Sequence, residues 1–472
     1  MPDIDATILD AIQIPALWKP WFKEPETWAS WCCFLKVLFG EPLSPAEQAL
    51  FIECTGRRQP ADQGYNEAWL ICGRRSGKSF ILALIAAYLA IFKNWRPYLI
   101  PGEVGTIMIL ASDRRQARTI FRYASALLTR PPSLRRMVER ETAWEIELNN
   151  DVVIEIHTAS YSAVRGYTVV ALLLDEVAFF PTDTEAADPD EEVINAARPA
   201  MATVPNAMML VASSPYARRG ALWNAYRENY GKSSPVLVWR AATRAMNPTV
   251  SQCLIDAQYE RDPQSAAAEY GAEFRTDVAA FIAREVVEAA VTPGRYELPP
   301  LGGVVTYAAF VDPSGGSSDS MTLAIGHPDT DVKRRILDLV REWRPPFNPD
   351  NVVGEIADIL RRYRVERVTS DYYATEWVAE RFRAHGIDYR RAEKPKSAIY
   401  LELLGPLNSG LVELLDNPRL IGQLCALERR TARSGKDSID HPPNGHDDLA
   451  NAAAGALTGA SEPSHWEAWG RW

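Results

Sequence analysis

The chain has 472 residues, 51 Lys and Arg against 61 Asp and Glu, a formal net charge of −10, 47% hydrophobic and 24% charged residues. That length holds two large domains or three smaller ones, and the ordinary composition excludes a disordered or fibrous class. The net acidity excludes a surface coated with basic charge, while leaving room for a nucleic acid held in a local groove.

Six cysteines with no C-x-x-C pair and no histidine at zinc spacing point to a reducing compartment without structural zinc. The acidic start, Met1-Pro2-Asp3-Ile4-Asp5, lacks the basic-then-apolar order of a signal peptide. The longest apolar run, Phe80 to Phe92, is too short to cross a bilayer and reads as a core helix, so no membrane role is expected.

Taken in order, residues 1–66 predict short helices rich in tryptophan (Trp18, Trp21, Trp28, Trp31), read as packing aromatics on the domain that follows. Ser44, Pro45 and Glu47 have the spacing of a capping box at the head of a helix running to Gly56. Arg58 and Gln59, just upstream of the next motif, are candidates to touch a base or phosphate, with a surface role as the default reading.

Residues 68–72 form a short apolar run ahead of Gly73-Arg74-Arg75-Ser76-Gly77-Lys78-Ser79, and a long apolar helix pattern follows to Phe92. Strand, glycine loop and helix in that order make a phosphate cradle: backbone N–H groups surround the anion, Lys78 reaches the β/γ oxygens, and the Ser79 hydroxyl ligates Mg²⁺. The usual pattern asks for glycine at 72, where this chain has Cys72.

Apolar strands are predicted at 105–110, 143–148, 152–157, 169–174 and 207–212, with Ser112 as the cap of a helix to about Leu128 and another helix at about 191–203. Continuous apolar runs alternating with helices predict a mainly parallel sheet covered on both faces. The run 169–174 ends in Asp175-Glu176, the pair an NTP-hydrolysing site needs: Asp175 to hold Mg²⁺ and Glu176 to orient and deprotonate the attacking water. Ser213-Ser214 end the next strand and are read as a sensor of the γ-phosphate.

Residues 67–275 are therefore assigned to an ATPase domain whose last part, about 216–275, reads as a helical lid. Residues 276–303, with Pro and Gly at 292–303, read as a linker.

Residues 304–460 start a second α/β pattern. Strands are expected at 304–311, 321–326, 335–340 and 365–370, with a helix at 352–363 before the last of these. Asp312 and Asp371 follow two of these strands, and Gly445-His446-Asp447-Asp448 opens an alanine-rich helix. Three or four carboxylates brought together can hold two Mg²⁺ or Mn²⁺ ions about 4 Å apart, which activate water and stabilise the leaving oxygen of a phosphodiester, as on a ribonuclease H-like sheet. Asp319 and His446 are possible auxiliaries, with turn and cap roles as the bland alternatives. Residues 461–472 form a tail with three tryptophans.

The order of these motifs resembles the large terminase subunit of tailed double-stranded DNA bacteriophages. Gly73 to Ser79 resembles its P-loop, Leu172 to Glu176 its Walker B strand and Ser213-Ser214-Pro215 its coupling motif. Asp312, Asp371 and Asp447-Asp448 resemble its nuclease acids.

The resemblance implies an ATP-driven motor that packages double-stranded DNA into a procapsid and a metal-dependent nuclease that cuts the concatemer. It also implies a pentameric ring on the portal protein, a small terminase subunit as partner, and action in the host cell cytoplasm. Arg165, eleven residues ahead of Glu176, matches the family's trans-acting arginine, with Arg74 and Arg75 as rivals in cis. The competing reading is a nucleic-acid-stimulated ATPase, a helicase or repair translocase, whose second domain binds without cutting. A structural assembly protein with a vestigial P-loop is a third, disfavoured by the full acid set in both domains.

Overall fold

The computed structural model describes residues 6–158, 166–180, 189–302, 305–316, 319–329, 333–371, 376–431, 437–443 and 445–460. Arg165 and the tail 461–472 lie outside the described residues. The chain divides into two units, one running to Thr276 and one from Asp277 onward.

The first unit is built on β1 (Glu67–Cys72), β2 (Gly105–Ala111), β3 (Val138–Glu141), β4 (Glu145–Leu148), β5 (Val152–Thr158), β6 (Thr168–Asp175), β7 (Met208–Ser213) and β8 (Val236–Ala241), in the order β3-β4-β5-β2-β6-β7-β1-β8. From β5 to β8 every neighbouring pair is parallel, and only β3 and β4 at one edge are antiparallel. The inner strands are buried along nearly their whole length, as expected of a sheet covered on both faces. Parallel strands share one carboxyl-terminal edge. Ile71 pairs with Ser213 and Asp175 with Ala212, so the ends of β1, β6 and β7 meet there.

The helix Lys78–Phe92 is buried from Ile81 onward and takes the N-terminal aromatics against it. Trp18 meets Phe92 edge-on at 5.7 Å, and Trp28 meets Phe80 at 5.2 Å. The capping box is present: Ser44 accepts from the Glu47 N–H, and Glu47 accepts from the Ser44 N–H.

Two expectations about the first unit are corrected. The stretch read as a helical lid contains β8, whose VLVWRA run pairs with β1 along its length because it is apolar enough to close the sheet. The helix Arg114–Thr129 is capped by Asp113, not Ser112, because the Asp113 carboxylate accepts from the N–H groups of Arg115 and Gln116.

The second unit has β9 (Val278–Ala280), β10 (Ala308–Asp312), β11 (Met321–Asp329), β12 (Arg334–Trp343), β13 (Arg367–Ser370), β14 (Asp388–Arg391), β15 (Val412–Glu413), β16 (Glu428–Thr431) and β17 (Asp437–Asp440). Six of them make a mixed sheet in the order β14-β13-β10-β11-β12-β15. β10, β11 and β12 form an antiparallel meander, and β13 and β14 add in parallel on the other side of β10, the strand order of a ribonuclease H-like sheet.

The helix Asp448–Gly459 lies close to β10: a Cβ at Gly455 would stand 2.2 Å from the Phe310 ring, so only glycine permits this approach. The stretch 276–303 is not a bare linker. β9 pairs with β16, and Arg284–Ala290 is a helix, because Val278, Phe281, Ile282 and Val287 are apolar and buried in the second unit.

Candidate functional site

In the first unit the chain leaves β1 at Cys72 and turns at Gly73. A Cβ on Gly73 would lie 2.3 Å from Thr243 Oγ1 and 2.7 Å from the Tyr270 carbonyl. Residue 72 is still in the strand, paired with Ala241, so the close approach that demands glycine falls one place later than in the usual pattern. The Cys72 thiol is buried beneath the loop, which pushes its pKa up to about 12 and leaves it an inert packing group.

Arg75 and Gly77 take left-handed backbone, with φ of 64° and 106°. Three consecutive carbonyls are held from outside the loop, each at 2.8 Å: that of Arg74 by Thr243 Oγ1, that of Arg75 by Asn247 Nδ2 and that of Ser76 by Trp31 Nε1. Carbonyls fixed outward hold the loop in the conformation of an anion cradle before any ligand arrives. Sequence reasoning misses all three of these supports: nothing in the sequence ties Thr243 or Asn247 to the loop, and Trp31 reads there only as a packing aromatic.

Lys78 is buried and turned back onto the carbonyls of Cys72 (2.8 Å) and Gly73 (3.3 Å), with its ammonium 3.4 Å from Glu176 Oε1. Ser79 Oγ donates to Asp175 Oδ2 at 2.9 Å, while Asp175 Oδ1 is buried with no hydrogen-bond partner. Burial and the neighbouring Glu176 hold the Asp175 carboxyl above the ordinary range, against the pull of Lys78 and Ser79. A buried carboxylate oxygen without a partner beside a hydroxyl is an oxygen donor set that suits Mg²⁺.

Glu176 sits at φ 54°, ψ 46°, a conformation that costs a residue with a side chain about 1–2 kcal/mol. Its Oε2 accepts from Ser214 N–H (3.1 Å), Ser214 Oγ (3.1 Å) and Ser213 Oγ (3.3 Å). Ser213-Ser214 therefore touch the candidate base directly.

A cavity of about 300 Å³ opens beside the loop, lined by Trp21, Trp28, Trp31, Ser76, Gly77 and Asn247 among others. Arg58 and Gln59 are exposed and do not line it. The buried arginine of that stretch is Arg57, which donates to the Ser234 and Asn229 carbonyls at 3.1 and 3.2 Å and has a structural role.

In the second unit, Val311 pairs with Ser370 in parallel register, which sets Asp312 and Asp371 side by side just beyond. Thr322, paired with Asp312 across the antiparallel side, donates through Oγ1 to the Asp448 carbonyl at 2.9 Å and ties the last helix to the strand ends. Asn451, one turn along that helix, donates to Asp312 Oδ2 at 2.8 Å. Sequence reasoning misses Asn451 too, although its spacing of three from Asp448 is a helical-face signal that could have found it.

Burial, and behind it the charges of Asp448, Asp447 and Asp371, push the Asp312 carboxyl up to about 7 despite the Asn451 bond. Burial likewise raises Asp448 to about 6, with His446 opposing and Asp447, Asp319 and Glu342 reinforcing, which places Asp319 and His446 near the cluster. Asp448 Oδ2 is buried and unpartnered, so Asp312, Asp371 and Asp448 fit a hard divalent cation.

Asp447 differs. Its carboxylate accepts from Tyr400 OH at 2.8 Å and faces Lys396 Nζ at 3.0 Å, a partnership that shows in no sequence motif. A larger cavity of about 1050 Å³ in this unit is lined by Ala308, Phe310, Arg367, Thr369, Gly455 and Gly459 among others and includes none of the four aspartates.

Fold and site together define the class: an α/β chain in which a mostly parallel sheet with a P-loop precedes a mixed sheet bearing clustered carboxylates. Residues 40–272 match the family model described as "Uncharacterized protein MJ0330, N-terminal P-loop domain". Among curated proteins, none matches this sequence.

Among solved structures the chain is similar to the HK97 bacteriophage large terminase, at 18% identity and a TM-score of 0.37 over 88% of this chain and 100% of that one. It is also similar to the large terminase of a thermophilic bacteriophage, at 12% identity and a TM-score of 0.38 over 90% of this chain and 98% of that one. The large terminase nuclease of the thermophilic phage G20c with bound magnesium matches 38% of this chain and 98% of its own length, at 16% identity and a TM-score of 0.33. Bacteriophage large terminases are thus among the solved structures that this chain is similar to.

Proposed function

We propose that this chain is the large subunit of a viral DNA-packaging motor, hydrolysing ATP to move double-stranded DNA into a procapsid and cutting concatemers with its second unit. The observation that carries the reading is the pair of carboxylate sites in one chain: Asp175 beside the P-loop and Asp448 beside Asp312, each with a buried oxygen left without a partner.

In the first unit, backbone N–H groups between Arg75 and Ser79 receive the ATP phosphates, those of Gly73 and Arg74 being held by the Ala241 and Glu269 carbonyls, and the Trp-lined cavity beside Ser76 and Gly77 receives the base. Lys78 exchanges its backbone carbonyl partners for phosphate oxygens. Glu176, held by Ser213 and Ser214, orients and deprotonates the attacking water, and loss of the γ-phosphate is felt through the same two serines. Ser79 and Asp175 would hold Mg²⁺, which withdraws charge from the phosphates when bound. Arg165, outside the described residues, is assigned to the neighbouring subunit's site in a pentameric ring.

In the second unit, Asp312, Asp371 and Asp448 would hold Mg²⁺ or Mn²⁺, which activates water and stabilises the leaving oxygen when bound. The partners in this reading are double-stranded DNA, a portal protein and a small terminase subunit, and the setting is the host cytoplasm. No helix among the described residues is long and apolar enough to cross a membrane.

The test is an ATPase assay and a plasmid-cleavage assay on one preparation of the full chain. Lys78→Ala should abolish the first and spare basal cleavage, and Asp312→Asn should do the reverse. ATP turnover with no metal-dependent cleavage under any condition would favour the translocase with a non-cutting second domain.

A further inference from the structure

Asp447 and Asp448 adjoin in sequence, but their side chains have separate surroundings. Asp447 holds the N-cap position of the helix Asp448–Gly459, where an aspartate normally accepts from its own helix's N–H groups, yet it makes no such bond. Gln423 does this instead: its Oε1 accepts from Leu449 N–H at 2.8 Å and Ala450 N–H at 3.1 Å. The Asp447 carboxylate is thereby released to face another helix.

There it meets Lys396, 3.0 Å from Oδ2 and 3.3 Å from Oδ1, and that ammonium also lies 2.8 Å from Asp440 Oδ1. Ligand atoms of Asp440, His441 and Asp447 all lie within 4.8 Å of one another, the span of a cation's coordination shell, and the Lys396 ammonium bonds to two of those three residues.

The lysine is held there against a local cost. It is the first residue of the helix Lys396–Asn408, where a positive charge meets the positive end of the helix dipole. Ser397 locks this first turn to β17 by donating to the Ile439 carbonyl (3.1 Å) and accepting from its N–H (3.0 Å). Tyr400, one turn on and on the same face, adds its hydroxyl to Asp447. The fold thus commits several contacts to bringing one ammonium to this carboxylate, while Asp448 Oδ2 is left bare.

We infer that Lys396 is the built-in second cation of the acid cluster: it keeps Asp447 out of the metal's shell, so the second unit takes one divalent ion, through Asp312, Asp371 and Asp448. The inference rests on the nuclease reading and deepens it. Lys396 is a positioning residue here, acting on the ion through Asp447, and its effect is read in metal binding as well as in cleavage.

The experiment counts bound Mn²⁺ by electron paramagnetic resonance in the nucleotide-free full chain, with Asp175→Asn in every sample to silence the first unit. One ion per chain is expected. Asp447→Asn should keep it with an affinity within about threefold, whereas Asp448→Asn should weaken it at least tenfold. Lys396→Met should release Asp440 and Asp447 and admit a second ion, and Lys396→Arg, which keeps the charge and the fold, should hold the count at one. Two ions in the chain with Lys396 intact, or a tenfold loss in Asp447→Asn, would overturn this inference while leaving a nuclease in place. No bound ion at millimolar Mn²⁺ would overturn the inference and the nuclease reading together.

Discussion

Asp312→Asn should stabilise the ion-free protein while destroying its metal site. In the native chain, burial and the neighbouring acids lift Asp312 from its ordinary 3.8 to about 7. Below about pH 4 the group is protonated whether the chain is folded or not, and the site adds no penalty. As pH rises towards 7 the unfolded chain releases the proton and the folded one retains it, so stability falls. Above 7 the folded carboxyl is ionised too, and the full penalty stands. At about 1.4 kcal/mol for each tenfold change in proton affinity, that penalty is about 4 kcal/mol.

Asparagine has the same shape, does not ionise, and its carbonyl can still accept from Asn451 Nδ2. In EDTA at pH 8 the second unit of Asp312→Asn should therefore unfold at higher denaturant than the native protein, by up to about 4 kcal/mol, with the gain fading towards pH 4. Mg²⁺ should raise the stability of the native chain and leave the variant unmoved. Urea unfolding of the full chain at several pH values, with EDTA and with Mg²⁺, measures all of this. A variant no more stable than native at pH 8, or a gain equal at pH 4 and pH 8, would refute the reasoning.

Glu176→Gln keeps acceptance from Ser213 and Ser214 but loses the base, so ATP should still bind while turnover falls by about 10²–10⁴, read by nucleotide titration and phosphate release. Gly73→Ala drives a Cβ to 2.3 Å from Thr243 Oγ1 and should weaken ATP binding or cost about 1–3 kcal/mol of stability, whereas Cys72→Ala, within the strand, should leave ATP affinity little changed. Arg165→Ala and Glu176→Gln chains, each inactive alone, should regain ATPase when mixed at concentrations that form a ring. A shared interface then pairs one intact site with one intact arginine, and no recovery would move the role to Arg74 or Arg75.

Groups placed by the end of a strand were legible in the sequence. Asp175, Ser213 and Asp312 each end an apolar run and Asp371 follows the short strand pattern at 365–370, and parallel pairing carries such ends to one edge whatever the helices between them do. The capping box at Ser44 was legible because both partners lie within one turn. β8 was not, since VLVWRA stands among polar helical segments and blends into a lid. Its place beside β1 is fixed by pairing partners about 170 residues away.

The groups that hold the chemistry in place were harder to see than the groups that perform it. Trp31 reaches Ser76 from 45 residues upstream, Lys396 reaches Asp447 from 51 residues away, and Gln423 caps Leu449 from 26. None of these bonds follows a period or a motif, because each is made by whichever side chain the tertiary packing brings within reach. Their effect on function is nonetheless specific. Asp447-Asp448 in the sequence is a redundant acidic pair, and either residue could be the ligand. Once Gln423 relieves Asp447 of capping its helix, and Lys396 and Tyr400 claim its carboxylate, the redundancy is gone. The two neighbours stand in different electrostatic surroundings, one compensated and one bare, and of the pair only the bare one leaves a buried oxygen free for an ion.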